Sequence, residues 1–242
     1  MCTVSFISTN NKFIITSNRD EHTSRPTAIE PKEEIINGSK IIYPKDPKAG
    51  GTWFAIKENG IIAVLLNGAF QKHIPKDNYS RSRGLLLLDI ISNANPFLCI
   101  SEIALENIEP FTLILLNAEI LIEFRWDGST KHYKELDMEE NYIWSSSTLY
   151  NPPIIRRREA LFTKFINGTE KLDKDKIIDF HMENNDDYEN GFVINRNNAL
   201  RTFSVTQAVF EEDGISLNHL DLLNKGKHSI LMRFGLMTKQ LI

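Results

Sequence analysis

The chain alternates between short β-favouring runs and longer helical ones. Residues 2–8 and 13–18 flank Asn10-Asn11, a pair that tolerates the positive φ of a tight turn, so the chain is expected to open on a hairpin. A second hairpin is written in 53–57, the turn Glu58-Asn59-Gly60, and 61–66, whose almost unbroken apolar character predicts burial on both faces. Helical spacing follows over 81–93 and over 96–107, the latter with a proline in its first turn. Strands are expected at 111–117, 119–126, 130–136 and 142–147. Pro152-Pro153 then leads into a helix over 154–166, closed by Asn167-Gly168, and 174–182 reads as another. Residues 183–190 are polar and acidic, as in an exposed loop, and strands return at 200–210, 215–220 and 228–236. Runs of strands separated by runs of helices predict an α+β fold in which two antiparallel sheets stack and helices cover their outer faces.

Composition narrows the class. The 242 residues are 41% hydrophobic and 25% charged, ordinary values for a globular chain able to bury a sizeable core. One domain over 1–242 is the expectation. The formal charge of -4 is spread evenly, which disfavours nucleic acid and anionic membrane as partners. No apolar run reaches membrane-spanning length, and the start lacks the cationic and apolar regions of a secretory signal. Two cysteines, one beside the start, fit a reducing, cytoplasmic setting better than a disulfide framework. Asn37-Gly38-Ser39, Asn78-Tyr79-Ser80 and Asn167-Gly168-Thr169 read as surface turns.

The chemistry concentrates near the start. Removal of Met1 would leave Cys2 with a thiol beside its own α-amine, a nucleophile carrying its own base. Folding the first hairpin back brings Ser17-Asn18-Arg19-Asp20-Glu21 alongside the chain start. Asp20 is then a candidate to hold the amine, and Arg19 to raise the thiolate fraction or grip an anionic substrate; a solvated charged turn is the competing reading. The six histidines lack zinc-site spacing, so no metal is expected, although an exposed His22 beside Cys2 could touch haem iron. Arg156-Arg157-Arg158 reads as a solvated helix face, with anion recognition the minority alternative. Neither a phosphate-binding glycine loop nor a Gly-x-Ser-x-Gly elbow is present.

Several motifs together carry a resemblance. Met1-Cys2, Asn18-Arg19-Asp20-Glu21, Arg25-Pro26-Thr27, Gly50-Gly51-Thr52-Trp53, the segment from Gly60 to Asn67, Ser82-Arg83-Gly84 and Leu200-Arg201-Thr202-Phe203-Ser204 resemble the NRDE family, whose eukaryotic members are called transport and Golgi organisation proteins. That family is similar to cysteine-type N-terminal-nucleophile hydrolases such as bile-salt hydrolase and penicillin V acylase. The resemblance implies a four-layer αββα sandwich, Cys2 as nucleophile, Asn18 and Asp20 as the Asn-x-Asp pair, and Asn67 as an oxyanion donor. It also implies substrate contacts from Arg19, Trp53, Ser146 and Arg201. The chain departs from the pattern at Ser17, where bile-salt hydrolases carry arginine, and at Ser146, where relatives carry a second asparagine.

These residues imply an amidase or acyltransferase acting on a small amide or thioester through an acyl-Cys2 intermediate, without a cofactor. The alternative implied by the eukaryotic relatives is a binding and trafficking protein for haem or an acyl-CoA or lipid ligand. A purely structural interaction domain leaves the polar cluster near Cys2 unexplained.

Overall fold

The computed structural model describes residues 3–9 and 12–234. It contains two seven-stranded antiparallel sheets. The first has the order β10-β1-β2-β12-β13-β14, built from Tyr142–Ser145, Thr3–Thr9, Lys12–His22, Leu200–Glu211, Gly214–Asp221 and Gly226–Arg233; the short β11, Asn195–Arg196, pairs with β12. The second runs in chain order through β3 Ile29–Ile36, β4 Ser39–Lys45, β5 Phe54–Lys57, β6 Ile62–Asn67, β7 Phe111–Leu116, β8 Leu121–Trp126 and β9 Lys131–Leu136.

Strand alternation builds the layers. Val4, Phe6 and Ile15 point into the main core between the sheets, while Ile7, Ile14 and Val209 point outward to a second core under the helices. Helices α3 (Pro152–Gly168) and α4 (Lys174–Met182) cover the first sheet, and α1 (Arg83–Ser92) covers β5 and β6 with α2 (Pro96–Glu102) beside it. The result is the expected four-layer αββα sandwich. Strand β6 is buried along nearly its whole length because the first sheet lies on one side and α1 on the other, as its apolar run predicted.

The departures have local causes. Strands β3 and β4 went unpredicted because β3 is an edge strand of sequence IEPKEEII, whose charges and Pro31 blunt an exposed edge and erase the alternating pattern. Their hairpin turns at Asn37-Gly38, both with positive φ. The second predicted helix stops at Glu102 rather than 107, and the turn expected at Asn10-Asn11 lies outside the described residues. No helix among the described residues is long and apolar enough to cross a membrane.

Two glycines bring the segment before β5 against the start of α1. A Cβ on Gly51 would sit 2.3 Å from the Gly84 carbonyl carbon, and one on Gly84 would sit 2.8 Å from the Thr52 carbonyl oxygen. Thr52 N–H donates to the Gly84 carbonyl at 3.2 Å across this contact. Gly51→Ala is therefore expected to cost roughly 1–3 kcal/mol or more and to lower the melting temperature by several degrees. Gly168→Ala, which meets nothing within 4 Å, is the control and should change it little; calorimetry on both variants reads the difference.

Candidate functional site

Strand β1 lies between β10 and β2, so Thr3, the residue after Cys2, pairs with Ser145 on one side and Asn18 on the other. Cys2 itself lies outside the described residues. The sequence placed 17–21 at the end of β2, but the strand continues to His22, and that changes the geometry. Side chains alternate, so the Asn-Arg-Asp-Glu motif divides between the two faces of the sheet.

Asn18 and Asp20 face the helix layer. The Asn18 amide nitrogen donates to the backbone carbonyls of His181 and Phe192 at 2.9 and 3.1 Å. Its oxygen must then accept, and its short contact is with Nδ1 of His181. His181 therefore carries its proton on Nδ1 and accepts through Nε2 from the Ser5 hydroxyl at 2.7 Å. Asn18 is thus a tie between β2, α4 and the segment at Phe192. Asp20 accepts from Thr202 Oγ1 at 2.6 Å and from the Tyr150 hydroxyl at 3.3 Å.

Arg19 and Glu21 face the other way, into a cavity of about 460 Å³ that Trp53, Leu65, Asn67 and the start of α1 also line. Arg19 is only 1% exposed, so the solvated-turn reading is excluded. Its Nη2 donates to Asp46 at 3.0 Å, and its guanidinium lies over the Trp53 and Phe203 rings at 4.7 and 5.4 Å. A β-bulge between Thr202 and Ser204 accompanies this stacking. Burial pulls the Arg19 guanidinium below its ordinary pKa against the opposing fields of Glu21 and Asp46. Asp46 is shared: Arg25 Nε donates to the same carboxylate at 2.8 Å. Burial pushes Asp46 up, but Arg25, the Ala49 N–H and Arg19 together hold it below the ordinary carboxylate range.

Asn67 ends β6 at the cavity wall. Its carbonyl accepts from Ser146 Oγ at 2.8 Å, and its side-chain amide makes no hydrogen bond among the described residues. Ser146 lies behind it, lining a separate cavity of about 220 Å³, with its hydroxyl also against Thr148 Oγ1 at 2.8 Å. Arg201 lines a third cavity, of about 450 Å³, with Leu220, Leu222 and Leu223. The structure therefore brings Arg19, Trp53 and Asn67 to one cavity, sets Ser146 behind Asn67, and leaves Arg201 apart. His22 is exposed and bonded to Ser24 Oγ at 2.8 Å. Among the described residues no cluster of His, Cys, Asp and Glu is placed to hold a metal.

One residue of the arginine run is not solvated. Arg158 is 1% exposed and donates to Thr3 Oγ1, to Ser145 Oγ at 3.0 Å, and to the carbonyls of Asn190 and Gly191 at 2.8 and 2.5 Å. It stacks on Tyr150 and Phe192, with no carboxylate within ion-pair distance among the described residues. The signal was available: Arg158 falls four residues before Phe162 and four after Ile154, on the apolar stripe of its helix. Asp46, by contrast, had no motif to mark it.

With β1 held between Asn18 and Ser145, and Asn67 turned into the cavity beside Arg19 and Trp53, the motifs of the sequence converge. The chain belongs to the Transport and Golgi organisation 2 family. The family model matches residues 1–212. Among solved structures, the fold is similar to the N-acylethanolamine-hydrolyzing acid amidase ortholog of Caenorhabditis elegans, at 12% identity and a TM-score of 0.61, covering 85% of this chain and 92% of that one. It is also similar to a cysteine-to-alanine mutant of conjugated bile acid hydrolase from Clostridium perfringens, at 11% identity and a TM-score of 0.51, covering 97% of each chain. These are N-terminal-nucleophile hydrolase folds, as the resemblance implied, and the likeness extends to the fold alone. No curated protein matches the sequence.

Burial holds His181 neutral down to about pH 3, with the Arg158 charge adding to the effect, and burial holds His219 neutral to about 4. Unfolded, each takes up a proton near its ordinary value of 6.5. Between these values the unfolded chain binds more protons, so the stabilisation is full above about 6.5 and drains as pH falls. His181→Gln should flatten the acid limb of a urea-unfolding series by up to one proton, about 1.4 kcal/mol per pH unit.

Proposed function

We propose that the protein is an N-terminal-cysteine amidohydrolase acting on a small amide or thioester bound in the Arg19–Trp53–Asn67 cavity. The observation that carries this reading is the side-chain amide of Asn67, unbonded among the described residues, which lines the cavity while its backbone carbonyl is held by Ser146, next to the strand that begins after Cys2.

On this reading Met1 is removed and Cys2 begins the chain. The neutral α-amine takes the thiol proton, and the sulfur attacks the carbonyl carbon. Asn67 donates to the developing oxyanion. The amine returns the proton to the leaving nitrogen as the C–N bond breaks, leaving a thioester that water hydrolyses. Asp20, fixed by Thr202 and Tyr150, orients the amine. Asn18 acts through the backbone it ties, and a cytoplasmic setting keeps the thiol reduced. Arg158, bonded to the side chains of Thr3 and Ser145, sets the start of β1.

One observation favours a second reading. The Ser146 hydroxyl, which stands where relatives carry an asparagine, is spent on the Asn67 carbonyl and offers nothing to a substrate. A protein that binds haem or an acyl-CoA or lipid ligand without turnover would tolerate this.

Intact-mass measurement of the untagged protein should show the loss of one methionine. Incubation with an activated acyl ester should then add one acyl mass to the wild type and none to Cys2→Ala, an adduct surviving in the variant being incompatible with the mechanism. Once a substrate is in hand, Asn67→Ala should lower kcat by about 10²–10³-fold with little change in KM, as loss of an oxyanion donor does.

A further inference from the structure

Three motifs take no part in the cysteine chemistry: Gly50-Gly51-Thr52-Trp53, Ser82-Arg83-Gly84 and Arg25. All three border the same cavity. The backbone contact between Gly51 and Gly84 presses the first turn of α1 against the cavity wall, where Ser82, Arg83 and Gly84 line it. The Ser82 hydroxyl caps the N–H of Leu85, which leaves the N–H groups of Arg83 and Gly84 without an intrahelical acceptor. No acidic residue occupies this first turn, so the positive end of the helix is unneutralised from within.

A second, independent observation points to the same place. Two residues that line the cavity carry buried donors, Arg19 Nη1 and Trp53 Nε1, that have no hydrogen-bond partner among the described residues. These residues are 1% and 3% exposed. A buried donor left unpaired is destabilising, more so when charged, and such a pair of donors is stabilised by an acceptor arriving from outside the chain. The lining carries four guanidinium groups, of Arg19, Arg25, Arg81 and Arg83, and three carboxylates, of Glu21, Asp46 and Glu109, with Arg81 paired outside the lining to Asp89 at 2.6 Å. The carboxylates are already committed: Asp46 to Arg19 and Arg25, Glu109 to Arg83 at 2.8 Å, and Glu21 to Arg25 at 3.6 Å.

We propose that the first turn of α1, together with the free donors of Arg19 and Trp53, forms an oxyanion subsite, so that the molecule entering this cavity carries a phosphate or carboxylate group. The inference rests on the reading of this cavity as the substrate site and extends it to substrate class. Helix N-termini and arginine forks recognise both groups by the same chemistry.

The test is equilibrium binding to the full-length protein of inorganic phosphate and of acetate, each against sodium chloride at constant ionic strength, followed by calorimetry and by melting temperature. Saturable stabilisation by phosphate or by acetate, absent with chloride, is expected, and the anion that saturates identifies the group. Trp53→Phe removes only an N–H that has no partner among the described residues. It should leave the melting temperature without anion unchanged or raised, and weaken anion binding about tenfold. Arg19→Lys keeps a charge beside Asp46 but lacks Nη1, and should weaken binding likewise; it decides the matter if the Trp53 variant does not fold. Absence of saturable binding by either anion, or wild-type affinity in the folded variants, overturns the subsite. Cys2→Ala protein should bind as the wild type does. Anion binding without any acyl adduct would therefore remove the hydrolase reading and keep the subsite, and the reverse pattern would remove the subsite alone.

Discussion

The two-residue period of β2 organises everything near the start of this chain. Because the strand runs unbroken through His22, four consecutive polar residues cannot share one environment. Asn18 and Asp20 lock the sheet to the helices, whereas Arg19 and Glu21 turn into the space between the sheets. A shift of one residue in the pairing of β1 with β2 would exchange the two sets, putting a guanidinium among the helices and an amide in the cavity. The neutral His181, held between Ser5 and Asn18, fixes that register from the outside.

The polar interior is paired rather than merely buried. Asp46 serves two arginines, Tyr150 packs against both Arg158 and Arg196, and Arg19 rests on two aromatic faces. Breaking one member of such a set leaves a charge stranded in a poor solvent, which costs more than the intact pair contributes. Among the buried side-chain groups without a partner in the described residues, those of Arg19 and Trp53 belong to residues that line the same cavity as the unbonded amide of Asn67. Rigid surroundings with a few unsatisfied groups are what a preorganised binding site requires.

Much of this was legible in the sequence, and the failures have physical reasons. The buried β6 announced itself through its apolar run, and Asn59-Gly60 marked the hairpin before it because glycine adopts positive φ cheaply. Strand β3 was hidden because edge strands carry charge and proline to resist pairing with neighbours. The motif residues were singled out, but their faces were not, since these depended on β2 extending past Asn18 through pairing with β12, a partner about 180 residues away. Arg158 was misread because a run of three arginines looks solvated until the helix phase is traced to Phe162. Asp46 has no sequence signature at all; its partners arrive from β2 and from Arg25 only when the chain has folded.

The pairing of β2 with β12 also has a consequence for synthesis. Asp20 takes hydrogen bonds from Tyr150 and from Thr202 of β12, and Arg19 acquires the Phe203 ring from the same late strand. A nascent chain still lacking β12 has β1 and β2 but no completed centre, because the closing contacts span most of the polypeptide. Ribosome-bound and truncated forms are therefore silent by construction, and whatever this centre does is a property of the finished molecule alone.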